Sequence, residues 1–130
     1  MSQRLLILLD DEPVTSRALA LDLADAGYRV TTAADHREVL QRFRSEPIDL
    51  LIADESRESG EDGPVVTEVR RIRPRAKVLL MTTRPDAETM ARGRPGSPVA
   101  WIRKPFDLEQ FRSVVGRMLG EVEETNGSAR

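Results

Sequence analysis

Short apolar runs alternate with amphipathic segments along this chain. Five runs rich in leucine, valine and isoleucine have the length of β-strands, namely Leu5–Leu9, Tyr28–Thr32, Ile48–Ala53, Lys77–Thr82 and Val99–Ile102. Their alternation with amphipathic stretches is typical of βαβ units around a parallel sheet. The first, third and fourth runs are almost continuously apolar, which predicts central strands covered on both faces.

Residues that start and stop helices mark the segments between these strands. The predicted boundary residues are Pro13 and Gly27 for the first helix, Asp35 for the second, Pro64 and Pro74 for the third, and Asp107 with Gln110 for the last. Proline is favoured in a first turn, glycine just past a helix, and aspartate as an N-cap. The predicted apolar faces comprise Val14, Ala18, Leu19, Leu21 and Leu23, then Val39, Leu40 and Phe43, then Val65, Val66, Val69 and Ile72, and finally Leu108, Phe111, Val114, Val115, Met118 and Leu119.

Two segments have a weaker pattern. Between Asp86 and Pro98, a short helix around Ala87–Ala91 runs into glycines and prolines, so we expect an irregular fourth helix there. Residues 121–130 lose apolar periodicity and become acidic and then polar. We therefore expect one domain over residues 1–120, followed by a disordered tail over 121–130.

Composition narrows the function classes. The chain has 130 residues, 39% of them hydrophobic and 32% charged, which suits one soluble globular domain. The absence of cysteine excludes disulfides and thiolate chemistry, and a single histidine excludes clustered imidazole ligands. A net charge of -2 provides no basic field for direct nucleic-acid binding. The apolar run Leu5–Leu9 is too short for a signal peptide or a membrane span, so we expect a cytoplasmic protein without membrane contact.

Polar side chains lie at the ends of four predicted strands. They are Asp10, Asp11 and Glu12 after the first strand, Asp54 after the third, Thr82 and Thr83 at the fourth, and Lys104 after the fifth. Ligands of open parallel α/β sheets bind beyond the carboxyl ends of the strands, so these groups are expected on one rim. Each taken alone has an ordinary alternative: the acids as turn or cap residues, Thr82 as a strand residue and Lys104 as a surface charge.

Carboxylates clustered on one rim need a counter-charge. Each close pair would repel by about 4 kcal/mol at an effective dielectric constant of about 20. Oxygen ligands without cysteine or clustered histidine favour a hard cation such as Mg²⁺. This donor set suits phosphoryl transfer, with Mg²⁺ and Lys104 neutralising charge, Thr82 donating a hydrogen bond and one carboxylate acting as the nucleophile.

The motifs at these strand ends resemble a known family. Leu-Leu-Ile-Leu-Leu-Asp-Asp-Glu-Pro, Pro-Ile-Asp-Leu-Leu-Ile-Ala-Asp, Val-Leu-Leu-Met-Thr-Thr and Lys-Pro-Phe closely resemble the receiver domains of two-component response regulators, over roughly residues 4 to 119. The resemblance implies a chemotaxis-Y-like, flavodoxin-like (βα)5 fold. Its doubly wound parallel five-stranded sheet would have strand order 2-1-3-4-5.

The same resemblance implies roles for the matched acids. Asp54 would be the phosphoacceptor. Asp11 and Asp54 would bind Mg²⁺ directly, Asp10 mainly through metal-bound water, and the backbone carbonyl of Ser56 would complete the protein ligands. The Lys104-Pro105 peptide is expected to be cis.

Further positions match residues that read the phosphoryl group in this family. Thr82 and Lys104 would contact the group, whereas Thr83, Arg84 and Trp101 would modulate or transmit the change. Trp101 stands where the family has a switching Tyr or Phe, with simple core packing as the alternative. Because indole is larger and has a single N–H donor, we expect a muted aromatic switch, with the change absorbed by the Gly93–Pro98 stretch.

The loop over residues 55–63 departs from the family pattern. It is one residue longer than is usual up to its Asp-Gly and is unusually charged, and Glu58 stands where proline is frequent. These differences leave the geometry of the loop open. His36, on the predicted second helix, is expected to be a solvated residue.

Three functions follow from these residues. The leading hypothesis is a signalling switch that a histidine kinase or histidine phosphotransfer protein phosphorylates and that acts on an unknown downstream protein. It would be no enzyme beyond its own phosphotransfer and autodephosphorylation. The alternatives are a phosphorylation-independent interaction module, with homodimerisation as one option, and a magnesium phosphohydrolase, which would normally need Asp-x-Asp. A stand-alone receiver and a receiver within a longer chain are both compatible with this sequence.

Overall fold

A five-stranded parallel sheet forms the centre of the structure. The computed structural model describes residues 3–9, 12–56, 58–61, 63–86 and 98–120. The strands are β1 (Leu5–Leu9), β2 (Arg29–Ala33), β3 (Leu50–Asp54), β4 (Lys77–Thr82) and β5 (Val99–Arg103). The helices are α1 (Pro13–Asp25), α2 (His36–Ser45), α3 (Pro64–Ile72) and α4 (Leu108–Met118).

The strand order is β2-β1-β3-β4-β5, with every pair parallel. This order confirms the expected doubly wound fold and places the three most apolar strands, β1, β3 and β4, inside the sheet. Successive side chains of a strand point to opposite faces, so each strand contributes to two separate cores. One core packs under α2 and α3 and includes Leu51, Leu80 and Trp101. The other packs under α1 and α4 and includes Ile52 and Phe111.

Local sequence signals set the helix starts. The Asp35 side chain accepts a hydrogen bond from the Glu38 N–H at 2.9 Å, and Asp107 accepts one from the Gln110 N–H at 2.7 Å. Each bond satisfies one of the N–H groups that a helix start leaves unpaired, which confirms both predicted N-caps. The third helix begins at Pro64, as predicted.

Two predicted strand starts were early by one or two residues. The sequence predicts Tyr28 in β2, but its N–H binds the Leu23 carbonyl in the turn that ends α1, where Gly27 has φ 102°. A glycine with positive φ just past a helix is a common way to end it, because the turn satisfies the last carbonyl groups. The sequence predicts Ile48 in β3, but its N–H binds the Glu46 carbonyl at 2.9 Å in a tight turn. Both side chains are partly or fully buried, so hydrophobicity extended beyond the hydrogen-bonded strand.

The predicted apolar face of α1 is partly wrong. Leu19 and Leu23 are buried, whereas Val14, Ala18 and Leu21 lie on the exposed side. Val14 is 83% exposed and Leu21 62% exposed, so they are surface residues of the helix. The period of apolar residues identified the helix but not which of its two neighbouring stripes packs on the sheet.

Two sequence expectations fall outside the described part of the chain. They are the short helix around Ala87–Ala91 and the tail over 121–130. Within the described ranges, no helix has both the length and the apolar character needed to cross a bilayer.

Candidate functional site

The carboxyl edge of the sheet brings together side chains that are far apart in sequence. Asp54 ends β3 and Thr82 ends β4, and Lys104 directly follows β5. Backbone bonds extend the ladder past the strands: the Glu55 N–H binds the Met81 carbonyl and the Lys104 N–H binds the Thr82 carbonyl, both at 2.7 Å. Because the strands are parallel and in register, their terminal polar residues emerge at the same edge.

Asp54 and Lys104 form a close charge pair at this edge. The Lys104 Nζ lies 2.6 Å from Asp54 Oδ1, and the two side chains are 40% and 34% exposed. The Oδ1 atom is itself buried, and apart from the Lys104 ammonium it has no hydrogen-bonding partner among the described residues. The carboxylate is thus held beside a cation but keeps acceptor capacity for another ligand.

A cavity of about 270 Å³ opens beside Asp54. It is lined by Leu9, Ala34, Asp35, His36, Asp54, Ser56 and Ser59. Within the loop after β3, the Ser59 N–H donates to Ser56 Oγ at 3.1 Å. The Ser59 hydroxyl, which is buried, lies 3.5 Å from His36 Nε2.

His36 is a residue whose position the sequence did not predict. The sequence predicts a solvated helix residue. The side chain is instead half-buried at the first position of α2, and it lines the cavity beside Asp54. The signal was present in the Asp35 cap. A capped helix that directly follows β2 begins at the carboxyl edge of the sheet, and so does its first side chain.

Glu55 is the centre of a second polar cluster at the same edge. Its Oε1 accepts a hydrogen bond from the Thr82 hydroxyl at 2.6 Å. Its Oε2 lies 3.3 Å from Arg84 Nη1 and accepts from the Trp101 indole N–H at 3.4 Å. The Glu55 side chain is only 17% exposed, and the Arg84 backbone N–H closes the cluster by donating to the Thr82 hydroxyl at 3.1 Å.

Trp101 is buried, and its donor is paired. The residue is 5% exposed and packs in the core under α2 and α3. An indole N–H left unpaired in the core would be costly, and Glu55 supplies the acceptor that prevents this. Thr83, which was expected to modulate the switch, is exposed.

Two of the expected metal ligands, Asp10 and Asp11, lie outside the described residues. Of the others, Asp54 and Ser56 both line the cavity beside the sheet edge. Within the described ranges, no three carboxylate or histidine side chains are grouped as a metal site. The Asp54 carboxylate, beside a cavity that Ser56 also lines, nevertheless suits a hard cation that keeps much of its water.

The Glu55 cluster was absent from the sequence-based site, although strand alternation contained a signal for it. Leu51 and Ala53 point into the core under α2 and α3, and the same alternation carries Glu55 to that face. Thr82 follows Leu80 by two positions and reaches the face in the same way. From this alternation alone, a carboxylate one residue after Asp54 could therefore have been predicted to lie on the same face as Thr82 and Trp101.

Similar proteins place this arrangement in a wider group. Residues 6–116 match the family described as response regulator receiver domain. The transcriptional regulatory protein GlrR of Escherichia coli is 26% identical over 110 residues, which are 85% of this chain and 25% of that protein. The chain spans about a quarter to about half of the length of the curated relatives it matches first.

Solved structures agree with the family match. The chemotaxis protein CheY4 of Vibrio cholerae superposes with a TM-score of 0.73 and 27% identity, over 90% of this chain and 99% of that one. A response regulator from Thermotoga maritima superposes with a TM-score of 0.74 at 23% identity, over 92% of this chain and 99% of that one, and supports the fold. With the family match covering most of the residues, the chain belongs to the response regulator receiver domain family.

Proposed function

We propose that this receiver domain accepts a phosphoryl group on Asp54 from a histidine kinase or a histidine phosphotransfer protein. The reaction is Mg²⁺-dependent, and the resulting acyl phosphate operates a signalling switch towards a downstream protein. The observation that carries the proposal is the Asp54–Lys104 pair at 2.6 Å on the carboxyl edge of the sheet, with Thr82 at the end of the neighbouring strand.

The side chains at this edge have distinct parts in the transfer. A carboxylate oxygen of Asp54 attacks phosphorus, and the P–N bond to the donor imidazole breaks with its electron pair remaining on nitrogen. The Lys104 ammonium neutralises charge on the transferred group, and the Thr82 hydroxyl donates a hydrogen bond to one of its oxygens. Since the attacking carboxylate is already paired with Lys104, its charge is positioned before the donor arrives.

The metal ligands in this proposal are Asp10, Asp11, Asp54 and the backbone carbonyl of Ser56. Support comes from the cavity that Asp54 and Ser56 line together, and from the remaining acceptor capacity of the Asp54 carboxylate beside its Lys104 partner. Bound Mg²⁺ would offset the negative charge shared by the phosphoryl group and the carboxylates. Asp10 and Asp11 enter through their place directly after β1, the strand beside β3.

The direct test is incubation with Mg²⁺ and acetyl phosphate, followed by intact mass measurement. We expect a single labile phosphoryl addition that the Asp54→Asn variant lacks. The matched control, Asp25→Asn, removes an exposed carboxylate at the end of α1 and should be labelled like the wild type. Reductive trapping and peptide mapping should then place the label on Asp54.

Other outcomes separate the competing functions. No addition at any donor concentration would favour a phosphorylation-independent interaction module. Sustained turnover of the donor without a trapped Asp54 product would favour a phosphohydrolase. A stable label on another carboxylate would contradict the assignment of Asp54.

A further inference from the structure

The Glu55 cluster bears on how the switch is held before phosphorylation. A threonine hydroxyl has one proton and can donate only one strong hydrogen bond at a time. In this structure that proton is directed to Glu55 Oε1 at 2.6 Å, the distance of a short charge-assisted bond. The hydroxyl also accepts from the Arg84 N–H, so both of its hydrogen-bonding roles are in use.

We propose that Glu55 is a positioning residue that retains the Thr82 hydroxyl in the unphosphorylated state and competes with the phosphoryl group for it. The inference rests on the proposed function, in which Thr82 donates to the phosphoryl oxygens. Because the hydroxyl cannot donate to both acceptors, phosphorylation of Asp54 requires Thr82 to leave Glu55. The free carboxylate then keeps Arg84 and Trp101 as its partners.

The surroundings of Glu55 strengthen this competition. Its side chain is 17% exposed, and Thr82 and Trp101 are buried at 4% and 5% exposure, so water competes weakly for these bonds. Arg84 supplies a balancing positive charge at 3.3 Å, which keeps the carboxylate in place as an acceptor. Glu55, the residue next to the phosphoacceptor, therefore holds Thr82 of β4 and Trp101 of β5 in their positions in the unphosphorylated state.

The test measures the affinity of the Mg²⁺-bound protein for beryllofluoride, a phosphoryl mimic, from the amide signals of residues 53–56. We expect Glu55→Ala to bind the mimic about tenfold more tightly, because the competing charge-assisted bond is lost. The direction is diagnostic, since a variant that had merely lost structural support would bind more weakly. In the protein without mimic, Glu55→Ala should also shift the single Trp101 indole N–H signal.

Two variants separate hydrogen bonding from simple charge. Glu55→Asp keeps the negative charge near Asp54 but is one methylene too short to reach Thr82, so it should also bind more tightly than the wild type. Glu58→Ala removes the same charge from an exposed position of the same loop and should leave the affinity unchanged.

Several outcomes would overturn the inference. The inference would be wrong if Glu55→Ala bound beryllofluoride equally or more weakly than the wild type. It would also be wrong if Glu55→Asp had wild-type affinity or if Glu58→Ala bound the mimic more tightly, since either result indicates charge repulsion alone. If the wild type itself failed to bind beryllofluoride, the proposed function would fall first and this inference with it. That result is distinct from binding that Glu55 does not influence.

Discussion

Replacing Lys104 with Met would remove the cation beside the phosphoacceptor while keeping most of the side-chain volume. Unit charges at the 2.6 Å separation of Lys104 Nζ and Asp54 Oδ1 attract by about 1.6 kcal/mol at the dielectric constant of water. At an effective dielectric constant of about 20 the attraction is about 6 kcal/mol. Both side chains are about a third or more exposed, so screening by solvent favours the lower figure.

The estimate for the mimic takes Lys104 to contact the fluorine atoms of bound beryllofluoride at a similar distance, so that an attraction of the same size is gained on binding. A loss of about 1.6 kcal/mol corresponds to about 15-fold weaker binding of beryllofluoride by Lys104→Met, measured by titration in the presence of Mg²⁺. The control is Arg103→Met, which removes an equal charge from the exposed neighbouring residue and should bind like the wild type. Unchanged affinity in Lys104→Met, or equal losses in both variants, would refute a specific contact.

Three further predictions follow from the site and from the fold around it. Asp54→Asn and Asp11→Asn should each reduce a Mg²⁺-dependent change in Trp101 fluorescence, and unchanged titrations in both would remove these residues from the metal site. Beryllofluoride should perturb the amide signals of residues 86–98 more than the indole signal, because Trp101 is already buried; a large indole shift with silent amides would contradict this. Asp35→Ala should lower the free energy of unfolding in urea by about 1 kcal/mol through loss of the α2 cap, and unchanged stability would exclude that contribution.

Much of the fold was predictable because strands and caps depend on local sequence. The bounds of Leu5–Leu9 and Lys77–Thr82 were predicted as found, and the cis peptide between Lys104 and Pro105 agrees with the family motif. Errors arose where a side chain is buried although its backbone makes no strand hydrogen bonds. Tyr28 and Ile48 shield apolar surface while their backbones belong to turns.

The polar site was predictable only in its outline. Placing Asp54, Thr82 and Lys104 on one edge needed only the topology of a parallel sheet. The hydrogen-bond acceptor of Thr82 depends instead on the face of the sheet on which each side chain lies and on the path of the chain after β3. Glu55 was grouped with a charged loop, and the structure shows that it is a mostly buried acceptor.

The strand order also has a consequence for biosynthesis. Each strand pairs with one that is at most two strands away along the chain, so the sheet can grow by adding β3, β4 and β5 in the order in which the ribosome releases them. Lys104 comes with the last strand and is thus the final member of its ion pair to be made. A nascent chain that stops before β5 leaves Asp54 without that cation and leaves the edge of β4 open to pairing with another chain.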